Sequence, residues 1–132
     1  MLEQDIRWKQ RFSNFVKVFE HLKNALKIQN ADIYQKAGMI QFFEMCFELA
    51  WNTLKDFLEE EGFKDIKSPR AAIKKAFEID LIKNGHIWLK LLEDRNLTSH
   101  IYDDEIVEVI EKSIRNEYFN ILNEFYECFK SK

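Results

Sequence analysis

Ile40-Gln41-Phe42-Phe43-Glu44-Met45-Cys46-Phe47-Glu48-Leu49-Ala50-Trp51-Asn52-Thr53-Leu54-Lys55-Asp56-Phe57-Leu58 settles the fold class. Ile40, Phe43, Phe47, Ala50, Leu54 and Phe57 alternate spacings of three and four, which brings them back to one face of a helix. Met39, Phe42, Met45, Cys46, Leu49, Trp51 and Leu58 extend the apolar surface well beyond that stripe. A helix of this kind is either enclosed by neighbours of its own chain or shared between its bundle and a second subunit, and both readings stand. Glu44 and Glu48, four apart, have a spacing that suits a metal. The chain has no Glu-x-x-His, however, so they are taken as ion-pairing or solvated carboxylates, and no metal site is expected.

Upstream, Trp8, Phe12, Phe15, Phe19, Leu22 and Leu26 repeat the same alternation and predict a long helix from Leu2 to about Asn30. Asn30-Ala31-Asp32 supplies the turn and the cap between the two helices. Downstream, Glu59-Glu60-Glu61-Gly62 ends the central helix, and Phe63 to Lys67 is an irregular linker. Ser68-Pro69 starts a short helix to about Ile79, with serine at the cap and proline at the first helical position. Asn84-Gly85 breaks the chain again, and a helix beginning near His86 follows. After Asp103-Asp104-Glu105, whose charge favours a helix N-terminus, a last long helix turns Ile110, Ile114, Tyr118, Ile121, Phe125 and Cys128 inward.

The totals agree. One proline and three glycines in 132 residues are too few for a loop-rich or all-β protein, and 132 residues suit a single all-α domain over 1–132. Twelve phenylalanines exceed what one small core needs, so some are expected to cover a subunit interface. A net charge of −3 and a pI near 5.7 argue against coating nucleic acid by bulk electrostatics. The most basic part holds Lys64, Lys67, Arg70, Lys74, Lys75 and Lys83, diluted by Asp65, Glu78 and Asp80. Arg70, Lys74 and Lys75, on the short helix, are the candidate phosphate contacts. No apolar run approaches the roughly 20 residues that span a bilayer, and Met1-Leu2-Glu3-Gln4-Asp5 lacks signal-peptide order, so a cytoplasmic protein with no membrane association is expected. Cys46 and Cys128 are read as buried free thiols, and His21 and His86 as residues with no chemistry.

Missing parts exclude several enzyme classes. There is no Gly-x-x-x-x-Gly-Lys, Gly-x-Gly-x-x-Gly, Gly-x-Ser-x-Gly or His-Glu-x-x-His, and no cofactor is expected. Attention falls instead on Arg95-Asn96-Leu97-Thr98-Ser99-His100-Ile101-Tyr102. At about 100° per residue, the apolar stripe of Trp88, Leu91 and Leu92 continues into Arg95, Thr98, Ser99 and Tyr102. A core-facing stripe that turns polar must satisfy itself or meet a partner. Arg95 and His100, five apart, lie about 140° from each other on a straight helix. Either the helix distorts near Ser99, or the group that reads both is assembled with a second copy of the chain, and the second account is the one adopted. An imidazole can move the proton of a ribose 2′-hydroxyl and a guanidinium can hold charge on an attacked phosphate, so this pair suffices for metal-free RNA cleavage.

Residues 43–55, Ser68-Pro69-Arg70, Trp88-Leu89 and Leu92 to Tyr102 together resemble the prokaryotic HEPN family, in particular the nucleotidyltransferase substrate-binding proteins grouped with HepT-like toxins. The resemblance implies an up-and-down four-helix bundle with a short additional helix, forming a homodimer whose Arg-x-x-x-x-His elements face one cleft. It implies catalytic roles for Arg95 and His100, with Asn96 as the polar residue after the arginine and Ser99 in support. His100-Ile101-Tyr102 matches the motif in which a cognate minimal nucleotidyltransferase silences the toxin by adding AMP to the tyrosine, here Tyr102. RNA is then the substrate. An alternative is a non-catalytic accessory subunit that presents a substrate or nucleotide to a separate nucleotidyltransferase. A plain helical dimer whose polar patch only satisfies itself is the third reading.

Overall fold

A computed structural model describes residues 6–132, so the first residues of the expected opening helix, 2–5, and the signal-peptide reading of Met1 to Asp5 lie outside it. The described residues fold into helices with no strand: α1 (Arg7–Leu26), α2 (Ile33–Glu60), α3 (Pro69–Glu78), α4 (Gly85–Arg95), α5 (Asp104–Ser113) and α6 (Phe119–Lys130). A π-helical turn, Ile114–Tyr118, joins α5 to α6 in one continuous rod.

Antiparallel packing of α1 on α2 is fixed at three levels. The indole N–H of Trp8 donates to Glu60 at 3.1 Å, Arg11 pairs with the buried carboxylate of Asp56, and His21 stacks on Phe42. The α5–α6 rod runs antiparallel to α1, since Phe119 stacks on Phe19 and Phe129 meets Trp8. Helix α4 runs against the rod in turn, with Lys90 paired to Glu117 and Asn84 near Glu124. The result is an up-and-down bundle of α1, α2, α4 and the rod, with α3 as the short extra helix. Helix α2 touches every other helix. Met39, Cys46 and Leu58 are buried within the chain itself, so its own neighbours account for much of its wide apolar surface.

Local signals work as physical chemistry requires. Asp32 caps α2 in a reciprocal box with Gln35, at 2.8 and 2.9 Å. Ser68 accepts from the Ala71 N–H at 3.1 Å ahead of Pro69, and Asp103 caps α5. Two boundaries differ from expectation. Helix α1 stops at Leu26, where Arg115 donates to the carbonyls of Leu26 and Ile28 and closes the helix end with a side chain 89 residues away. Helix α4 stops at Arg95 and does not carry the motif through to Tyr102.

The surplus of aromatics goes into the core and its margins. Of the phenylalanines, only Phe77 is exposed; Phe12, Phe15, Phe19, Phe119, Phe125 and Phe129 form a ring cluster between α1 and α6. Cys46 is buried, and burial pushes its thiol pKa up; Cys128 is only half-buried.

Two contacts seat α4. The ring of Phe77 lies over Gly85, and a Cβ at that glycine would come within 2.7 Å of the ring. At the other end, the phenol of buried Tyr118 donates to Asp94 at 2.6 Å. Burial, with the Asp94 carboxylate adding to it, pushes the Tyr118 pKa well above its ordinary value of 10.0.

Gly85→Ala is expected to cost about 1–3 kcal/mol through overpacking, with part of the loss regained on adding Phe77→Ala, as urea denaturation would measure. Tyr118→Phe is expected to cost about 1–2 kcal/mol at neutral pH, because Asp94 loses its donor. The pH dependence has a definite sign. Above pH 10 the unfolded phenol ionises while the folded one keeps its proton, so the parent loses stability there and its advantage over Tyr118→Phe shrinks as pH rises.

Candidate active site

The motif divides where α4 ends. Asn96 closes the helix, and Thr98–His100 form a 3₁₀ turn in which the His100 N–H donates to the Leu97 carbonyl at 2.9 Å. The helix thus distorts at this point. Only the first half of the expected polar stripe faces inward. Thr98 is buried and Arg95 half-buried, whereas Ser99 and Tyr102 are exposed, because the break turns them away.

Two carboxylates of α2 hold the first half. Glu48 pairs with Nη2 of Arg95, and Glu44 lies 2.9 Å from the Thr98 hydroxyl, which is also 2.7 Å from the Arg95 carbonyl. The one-turn spacing of Glu44 and Glu48 matches the three-residue spacing of their partners. Nη1 of Arg95 donates to Asn96 Oδ1 at 3.2 Å, and the guanidinium lies 5.8 Å from the Phe47 ring centre. Tyr118 restrains Asp94 from the opposite side. Residues 94–98 are therefore held by three side-chain hydrogen bonds to α2 and the rod.

The second half has only local support. Nδ1 of His100 lies 3.0 Å from the Tyr102 hydroxyl, the two rings pack edge to face, and both side chains are exposed. Among the described residues, no hydrogen bond or ring contact joins Arg95 to His100. On α3, Arg70 and Lys74 are exposed, while Lys75 pairs with Glu78 at 2.6 Å and lies over Phe63. None of the three contacts the motif.

Sequence reasoning placed Glu44 and Glu48 as pairing carboxylates but not as part of this site, and it missed Asp94, Trp51 and Tyr118. The spacing of Glu44 and Glu48 was the available signal; their partners lie 54 and 47 residues away. No group of three or more His, Cys, Asp or Glu suited to a metal occurs among the described residues, and no helix there is long and apolar enough to cross a membrane.

Around Leu97 a shallow cleft of about 290 Å³ is lined by Leu97, Asp103, Glu105, Ile106, Val109 and Ile110. Leu97 and Val109 are exposed, as is Met45 on α2, three residues before Glu48. Two of the residues that line the cleft are exposed carboxylates, Asp103 and Glu105.

Known proteins share this plan. The chain is 34% identical over 79 residues to the probable ribonuclease HepT of Haemophilus influenzae, a match that covers 52% of this chain and about half, 50%, of that protein. A crystal structure of a Thermus thermophilus protein superposes with a TM-score of 0.71 at 25% identity, over 88% of this chain and 92% of that one. The sequence model of one family, described as nucleotidyltransferase substrate binding protein like, matches residues 10–131. With nearly its whole length so matched, and a HepT relative beside it, the chain belongs to that HEPN-like family.

Proposed function

We propose that this chain is the toxin of a HEPN and minimal-nucleotidyltransferase pair: a cytoplasmic, metal-independent endoribonuclease that acts as a homodimer. The similarity to a probable ribonuclease HepT supports the reaction class. The observation that carries the reading is the 3.0 Å contact between Nδ1 of His100 and the Tyr102 hydroxyl. It sets an exposed, modifiable phenol against the group that would move protons, and it leaves Nε2 of the same imidazole open to substrate.

In this reading two copies bring their Arg95 and His100 to one cleft. A ribose 2′-oxygen attacks the adjacent phosphorus as its proton passes to one imidazole. The P–O5′ bond breaks, and the departing oxygen takes a proton from the second imidazole, leaving a cyclic phosphate and a 5′-hydroxyl. Arg95 holds the charge that grows on the phosphate oxygens. Each Nη has one N–H beyond those given to Glu48 and Asn96, so the guanidinium keeps donors for a phosphate. Asn96 and Ser99 orient the reacting groups, and Arg70, Lys74 and Lys75 guide the RNA backbone along α3. The exposed apolar side chains of Met45, Leu97 and Val109, beside the motif, supply a surface for the second copy.

Silencing follows from the same contact. The cognate nucleotidyltransferase directs the Tyr102 oxygen to the α-phosphorus of ATP; the new O–P bond forms, pyrophosphate leaves, and the phenolic proton goes to a base on that enzyme. The bound AMP then places bulk and negative charge where an RNA phosphate must sit.

One observation favours the accessory-subunit reading. The carboxylates of Asp103 and Glu105 at the cleft beside Leu97 repel a polyanion, and a site that presents substrate to a separate nucleotidyltransferase does not require RNA there.

Cleavage of a labelled RNA pool in EDTA separates the two. The parent is expected to cut and His100→Ala to lose at least about a hundredfold of the activity, with unchanged helical signal and oligomeric state. Tyr102→Phe should still cut but accept no AMP from the nucleotidyltransferase. Equal cutting by His100→Ala would remove His100 from the mechanism; no cutting by a parent of unmodified mass would favour the accessory subunit.

A further inference from the structure

Arg95 carries a long side chain, and several contacts keep it in one place. Its Nε is buried and has no hydrogen-bond partner, so the stem is committed to the protein interior, while the side chain as a whole is 25% exposed. Phe47 supplies a surface for the guanidinium at 5.8 Å, but a ring face does not fix rotation within the plane. Asn96 accepts from Nη1, but it is exposed at the very end of α4. Glu48 is the one contact that is charged, directional and mounted on the central helix.

Glu48 is itself held. Its Oε1 accepts the indole N–H of half-buried Trp51 at 3.2 Å, which leaves Oε2 for Nη2 of Arg95. Trp51, Glu48 and Arg95 therefore form a chain of two hydrogen bonds from α2 to the end of α4. We propose that Glu48 is the positioning residue for Arg95, aiming the remaining Nη hydrogens at the phosphate, with Trp51 fixing the Glu48 rotamer. The carboxylate takes one N–H of the guanidinium and leaves the rest of its outer edge open. Losing such an orienting partner typically costs about 10–100-fold in activity.

The activity arm of the test rests on the ribonuclease reading above; a second arm does not. Turnover of RNA is expected to rank parent, then Glu48→Gln, then Glu48→Ala. The alanine variant should fall about 10–100-fold in kcat with little change in KM, and the glutamine variant should recover part of it, because an amide oxygen still accepts from Nη2. In parallel, nitrogen-15 NMR of the full-length chain is expected to show restrained, separate Nη signals for Arg95 in the parent and averaged signals in Glu48→Ala. Circular dichroism confirms that each variant is folded.

Parental turnover in Glu48→Ala would overturn the proposal. Faster turnover in both variants would overturn it too, making Glu48 a competitor of the phosphate. If the parent cuts no RNA, the ribonuclease reading fails and the NMR comparison decides alone: restrained Nη signals lost in Glu48→Ala support the positioning role, and averaged signals already present in the parent refute it.

Discussion

A helix that touches every other helix can carry charge along its buried sides only where a neighbour brings a matching group. On α2 that requirement is met residue by residue. Lys36 is paired with Glu108 and Glu111, Asp56 with Arg11, and Glu60 with the indole of Trp8. Glu44 and Glu48 are met by Thr98 and Arg95. Each match fixes the height at which one element docks, so polar pairing sets the register while apolar burial supplies most of the driving force. The candidate site is one more of these matches, made at the end of a short helix.

That origin explains what the sequence could and could not reveal. The helices and their starts were legible, because three-four periodicity, the Asp32 and Ser68 caps and the Asp103 start are local properties. The end of α4 was not, since no proline or glycine lies between Arg95 and Tyr102 to announce it. Extending the stripe of Trp88, Leu91 and Leu92 therefore put Ser99 and Tyr102 on an inward face they do not occupy. The end of α1 was hidden for the same reason: the group that closes it, Arg115, is remote in sequence. The phenylalanine count likewise suggested an interface; six of the twelve rings lie on α1 and α6, where they pack on one another.

Within the motif, the identity of Arg95 and His100 was available from spacing and resemblance, but their different circumstances were not. The cation is half-buried, paired and backed by an aromatic ring; the imidazole is exposed and touches only a neighbouring phenol. In the proposed reaction, a charge that meets a phosphate in a fixed direction gains from rigid mounting, whereas a proton carrier must be reached by substrate. The fold supplies both by ending α4 between them.

The 3₁₀ segment also has a consequence for how the molecule breathes. From Ser99 to Tyr102 no residue is buried, and the bonds from His100 N–H to Leu97 and from Asp103 N–H to His100 span only three residues. Such a stretch opens by local fluctuation, without separating the bundle, whereas releasing Arg95 means pulling α4 from α2. Amide hydrogens on the two sides of Thr98 thus belong to different classes of exchange. A macromolecule that engages Tyr102 meets a short segment that can be drawn outward while the arginine stays at its post.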